Sequence, residues 1–169
     1  MTIEAALGPA SPSEVAVTTS DFAETYRVQY RRVIRALVVA GAPPAQAEDV
    51  AQEAFARALV HWRRVSAGSN PPGYVYRSAF RLYARRVPER GGEPAERPDD
   101  RSGDTQTEAV ARVGVEAALA AMPARRRLCA TLCFVVGLTA GETAEALGIA
   151  EGTVRKQLEL ARAALRAAV

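Results

Sequence analysis

The chain has 169 residues, of which 49% are hydrophobic and 24% charged, with a formal net charge of +3. That length holds one ordinary domain or two small ones, and a composition rich in Ala, Leu, Val and Arg favours helices over sheets. No apolar run approaches the length of a bilayer span and no basic start precedes one, which excludes a membrane protein and predicts a soluble, cytoplasmic one.

The small net charge conceals an asymmetry along the chain. Residues 21–87 carry eleven Arg against five acids, residues 88–108 three Arg against seven acids, and residues 109–169 eight bases against five acids. Two basic blocks therefore flank an acidic connector. Lys156 is the only lysine, so the positive charge is nearly all Arg, the side chain better suited to bidentate contacts with phosphates and base edges. A GC-rich genome would give the same bias.

In chain order, residues 1–20 lack periodicity and read as a disordered tail. A helix capped by Asp21 carries Phe22, Tyr26, Val33, Leu37 and Val38 and ends at Gly41 and Pro43-Pro44. A second, from Ala45, has the stripe Val50, Ala54, Phe55, Ala58, Leu59 and Trp62 opposite Glu48, Asp49, Gln52, Glu53 and Arg57. Residues 66–72 form a loop. A third helix over 73–87 interleaves Tyr74, Tyr76, Phe80 and Tyr83 with Arg77, Arg81, Arg85 and Arg86, a mixture that suits nucleic acid. Residues 88–106 are a flexible acidic linker, too poor in apolar residues to fold alone. A fourth helix over 107–121 has Val110, Val113, Ala117 and Leu119 as core positions, and a fifth begins at Pro123 and runs to Val136. Thr139 and Glu142 have capping-box spacing for a sixth helix over 140–147. After Gly148, a last helix over 152–168 places Val154, Leu158, Ala161 and Leu165 inward.

The expected fold is all-α: a first helical domain over 21–87, the linker, and a second over 107–169. A helix of about eight residues, a Gly turn and a helix with a basic outer face make a helix-turn-helix. Its second helix would offer Thr153, Arg155, Lys156 and Gln157 to base edges, with Arg162 and the run Arg125, Arg126 and Arg127 on phosphates. An ordinary helical hairpin has the same outline.

The wording of these segments carries more. Leu119-Ala120-Ala121-Met122-Pro123 through Arg127, Gly137-Leu138-Thr139 with Glu142, Glu145-Ala146-Leu147-Gly148-Ile149 and Gly152-Thr153-Val154-Arg155 resemble region 4 of an extracytoplasmic-function (ECF) sigma factor. Leu160 to Arg166 is similar to the family's ending. Ala47-Glu48-Asp49-Val50-Ala51-Gln52-Glu53-Ala54-Phe55 and Trp62 resemble region 2. The two matches stand in the family's order, over about residues 22–87 and 107–166.

The resemblance implies a transcription initiation factor that binds core RNA polymerase and promoter DNA. Glu48, Asp49, Gln52 and Glu53 stand where region 2 docks on the clamp helices of the largest subunit; a solvated helix face is the plain alternative. Trp62, Tyr74, Tyr76, Arg77, Phe80, Arg81, Arg85 and Arg86 stand where the minus-ten element is melted, with Trp62 and Phe80 better suited to the core. The family also implies an anti-sigma factor as a candidate partner. This chain departs from the family at Tyr74-Val75, Arg81, Ala84, Thr143 and Ala150, the last standing where a Ser commonly caps the recognition helix.

Enzyme chemistry finds no support. His61 is the only histidine, no Ser or Cys has a basic partner at useful spacing, and there is no phosphate-binding glycine loop, so neither catalytic residues nor a cofactor is expected. Cys129 and Cys133 lack further ligands for zinc and read as buried thiols, and the neighbours Glu48 and Asp49 diverge on a helix, so no metal is expected. The competing readings are a stand-alone helix-turn-helix regulator and a degenerate sigma-like interaction protein.

Overall fold

A computed structural model describes the backbone of residues 12–87 and 114–168, with side chains from residue 21 onward. Every regular element among these residues is helical. The first half holds α1 (Pro12–Val39), α2 (Pro44–Val60), α3 (Trp62–Ser66) and α4 (Pro71–Ala84). In the second, helical turns at 114–120 precede α5 (Ala124–Ala130), which runs directly into a π-helical segment, Thr131–Val136. Then come α6 (Ala140–Leu147) and α7 (Glu151–Ala168). The predicted linker at 88–106, residues 1–11 of the predicted tail and the predicted helical turns at 107–113 lie outside the described residues.

Three boundaries differ from expectation. First, α1 begins at Pro12, not Asp21: proline suits a first helical turn, and no Gly or Pro interrupts the chain from there to Val39. Second, α2 stops at Val60, and His61 (φ −107°, ψ 16°) turns the chain into α3. The kink brings Trp62 into the core at 3% exposure, while Leu59, at the edge of the apolar stripe, is left 52% exposed. Third, the fifth predicted helix divides into α5 and the wider π-helical segment, whose exit is sealed by Leu138 N donating to the Leu132 carbonyl at 2.9 Å. Ala117, an expected core residue, is exposed, whereas Leu119 is buried.

Alanine fills much of the space between α1, α2 and α4: Ala36, Ala40, Ala47, Ala51, Ala54, Ala58 and Ala79 are all buried. Side chains this small let helix axes approach closely. At the free end of the bundle the gap is wider and rings close it. The Phe55 ring meets Tyr26 edge-on at 5.0 Å, and Phe22 meets Trp62 edge-on at 5.2 Å.

The core built this way continues into the second half of the chain. Leu128, Leu132, Leu138 and Ala146 belong to the same buried cluster as Val33, Leu37 and Phe80. Two smaller clusters hold the second half itself. Leu119, Met122, Ala130 and Ala161 form one, and Cys129, Ala144, Val154 and Leu158 the other. Burial, with the neighbouring Cys133, pushes the Cys129 thiol up to about 11, so it stays protonated and inert as a free, buried thiol.

Phe55, 2% exposed, is the largest buried side chain of the first half. Phe55→Ala is expected to lower unfolding stability by about 3–5 kcal/mol in urea denaturation. Leu59→Ala, at the outward position, is expected to stay within about 0.5 kcal/mol of wild type.

Candidate nucleic-acid interface

The helix-turn-helix is built by short-range hydrogen bonds. Thr139 Oγ1 accepts from Glu142 N at 3.1 Å while Thr139 N donates to Glu142 Oε2 at 2.9 Å, the reciprocal box that starts α6. Gly148, at φ 66°, ends it in the left-handed conformation, and Ile149 N returns to the Ala144 carbonyl at 3.1 Å. The following helix, α7, is seated by Val154, Leu158 and Ala161, all buried, so its opposite face is left to solvent.

That outer face gathers most of the residues predicted to meet DNA in this half. Arg155 and Lys156 are exposed and Thr153 and Gln157 half-buried. Arg155 Nε donates to Glu151 Oε1 at 3.1 Å, one turn earlier. Arg126 reaches across from α5, its Nε donating to Gln157 Oε1 at 3.4 Å, and the Arg162 guanidinium lies 5.4 Å from the centre of the Phe134 ring. Arg125 is exposed at the start of α5. Arg127 is not on this surface. It is 7% exposed, and its guanidinium packs on Gly41 at the end of α1, where an added Cβ would come within 3.0 Å of it. Gly41 has φ 107°, so the chain reversal and the close approach both require glycine. Burial holds the Tyr83 hydroxyl above its ordinary value, with the Arg127 charge opposing.

In the first half, α4 is the element that carries rings and guanidinium groups together. Asn70 caps it by accepting from Gly73 N at 2.9 Å, and a Cβ at Gly73 would fall 2.3 Å from Asn70 Nδ2. Phe80 is fully buried, as is nearly all of Trp62, whose indole N–H has no partner. Tyr74, Tyr76 and Arg77 are half-buried, and Arg81, Arg85 and Arg86 exposed. Tyr76 is held near α1 by Gln29 at 3.5 Å.

Three of the arginines are engaged by other parts of the chain. Arg86 Nη2 lies 3.2 Å from Glu53 Oε2, and Glu53 also holds Arg57 at 2.6 Å. Arg77 Nη1 lies 3.2 Å from Glu142 Oε1, and Arg81 Nη2 donates to the Glu145 carbonyl at 3.1 Å. These last two contacts join α4 to α6 across more than 60 residues of sequence. Of the predicted polymerase-binding residues, Glu48, Asp49 and Gln52 share the exposed face of α2, while Glu53 is turned towards Arg57 and Arg86.

Glu142 and Glu145 are the site residues that sequence reasoning missed as partners. The capping-box spacing identified Glu142, but its second role depends on which helix α6 meets. Between the halves a cleft of about 530 Å³ is lined by Gln29, Arg32, Arg35, Asn70, Tyr76 and Leu138 among others. Among the described residues no three His, Cys, Asp or Glu side chains converge as a metal site requires, and no helix is long and apolar enough to cross a membrane.

Comparison with known families accounts for both surfaces. The family described as Sigma-70 region 2 matches residues 22–91, and that described as Sigma-70, region 4 matches residues 112–165. Together they cover well over half of the chain, which belongs to the sigma-70 family and is of the ECF type, with region 2 followed by region 4. It is a sigma factor with a role in promoter recognition, its two regions those that bind core RNA polymerase and promoter DNA. The family is not one of enzymes.

Hydrogen bonds from the Thr139 backbone and side chain, helped by the Arg77 charge, hold the Glu142 carboxyl below its ordinary 4.5. A depressed carboxyl stabilises the fold above that value and loses its contribution as pH falls through the lowered one. Glu142→Gln is therefore expected to lower the melting temperature near neutral pH, and the gap to wild type to narrow as melts are taken from roughly pH 6 down to pH 3.

Proposed function

We propose that this sigma factor divides promoter recognition between α4 and α7, with residues 21–87 acting as the region 2 domain, 88–106 as the linker and 107–169 as the region 4 domain. The observation that carries the reading is the one-sided seating of α7. With Val154, Leu158 and Ala161 buried, Thr153, Arg155, Lys156 and Gln157 project from the other side of a helix that follows a tight glycine turn. A helix presented in this way enters a major groove with its first turns against base edges. It reads the minus-thirty-five element, and Arg125, Arg126 and Arg162 hold the flanking phosphates.

In region 2, α4 handles the minus-ten element. Tyr74 and Tyr76 offer rings to unstacked bases, and Arg77, Arg81, Arg85 and Arg86 hold the backbone of the separated strand. Trp62 and Phe80 support this surface from the core. The exposed face of α2, through Glu48, Asp49 and Gln52, docks on the clamp helices of the polymerase's largest subunit, with Glu53 positioned by its arginines at the margin. The protein thus works in the cytoplasm beside the polymerase, which supplies all of the chemistry. An anti-sigma protein would find both DNA-facing surfaces on this one chain.

Run-off transcription with core polymerase, on genomic fragments selected by the reconstituted holoenzyme, tests the assignment. Arg155→Ala with Lys156→Ala is expected to reduce specific transcripts by about tenfold or more, since each base-edge contact contributes roughly 1–3 kcal/mol. Absence of transcripts and of core binding, while the protein alone retains duplex DNA, would replace this reading with a stand-alone regulator. In a pull-down, Glu48→Lys with Asp49→Lys is expected to weaken capture of core polymerase while leaving the helical circular dichroism unchanged.

A further inference from the structure

The joint between the two halves uses groups that the function needs elsewhere. Arg77 and Arg81 lie one turn apart on α4, on the side met by α6. Glu142 gives Arg77 a carboxylate at 3.2 Å, and the Glu145 carbonyl gives Arg81 an oxygen at 3.1 Å. To α4, these oxygens present the chemistry that a nucleic-acid backbone presents: anionic or strongly polar acceptors in guanidinium geometry. Around them the contact is apolar. Leu138 and Ala146 are buried in the cluster shared with α4, and Arg127 closes the margin over Gly41.

We infer that α6 is a built-in cover for the minus-ten helix, its acceptors occupying Arg77 and Arg81 so that the free protein is closed to single-stranded promoter DNA until its two halves part. The inference rests on the assignment of α4 to the minus-ten element. It follows from distance as well as from occupancy. Elements named for positions minus ten and minus thirty-five lie about 25 base pairs apart, or roughly 85 Å of duplex axis. Two domains in van der Waals contact cannot sit on both. The 26 residues 88–113 span at most about 90 Å when extended, enough for the halves to separate. The cover is one-sided: Arg155 and Lys156 on α7 stay exposed, so closure withholds α4 and leaves the recognition helix accessible.

Leu138→Asp places a charge in the apolar part of the joint. Leu138 packs with the first half's core and belongs to neither of the two clusters that hold the second half, so the substitution is aimed at the joint. Small-angle X-ray scattering of the full chain is expected to show a larger radius of gyration for Leu138→Asp than for wild type, with helical circular dichroism retained. Fluorescence anisotropy with a short single-stranded oligonucleotide of mixed sequence is expected to show binding about tenfold tighter, as when a competent form rises from a tenth of the population. Affinity for a duplex of the same sequence is expected to change little. Glu142→Gln, which keeps the capping box and removes only the charge, is expected to shift single-strand binding the same way by about threefold, and decides the matter if Leu138→Asp loses helicity. Unchanged dimensions overturn the cover, and so does expansion without a gain in single-strand affinity. Neither measurement uses polymerase, so failure of the cover is distinct from failure of the sigma assignment, which appears as missing run-off transcripts.

Discussion

The small size of the buried side chains between α1, α2 and α4 is the constraint from which the rest of this structure follows. Alanine lets three helices lie close together, but each buried alanine removes little apolar area from water, and a three-helix unit built on it gains little from burial. Leu128, Leu132 and Leu138, contributed by the other half of the chain, supply the larger side chains that this core lacks. The contact between the halves is thus part of how the first half is buried, and the same contact determines which arginines face solvent.

How much of this was legible in the sequence depended on the range of the interaction. The Thr139–Glu142 box, the Gly148 turn and the inward stripe of α7 are set within a few residues, and periodicity and capping rules locate them as they stand. Elements were also correctly typed as helices where their ends were not. The sequence does not show that α2 breaks at His61, because Trp62 fits the stripe of a straight helix as well as it fits the core beyond a kink. Arg127 is harder still. In sequence it is the third member of a basic run, and nothing local distinguishes it from Arg125 and Arg126; it is set apart by Gly41, which meets it only once the halves are packed. Arg77 with Glu142 is opaque for the same reason.

The two DNA-facing surfaces are built on different physical terms. On α7, specificity rests on exposed side chains held by neighbours one turn away, Arg155 by Glu151 and Gln157 by Arg126, so the reading surface is arranged before it meets a base. On α4 the rings are half-buried and the arginines are held by distant parts of the chain, so this surface must exchange partners to act. That difference matches the tasks: reading a duplex favours a preset face, whereas holding a strand that exists only after melting tolerates a face that is exposed late.

The π-helical segment Thr131–Val136 bears on this arrangement in another way. A π turn amounts to one residue more than an α turn of the same rise. Removing one residue from it would restore the ordinary winding and rotate everything downstream by about 100° about the helix axis. Leu138, and α6 behind it, would then leave in a different direction, and Glu142 would no longer arrive opposite Arg77. The relative orientation of the two DNA-binding halves is in this sense a matter of counting: a single position, in a stretch that touches no nucleic acid, sets the angle at which they meet.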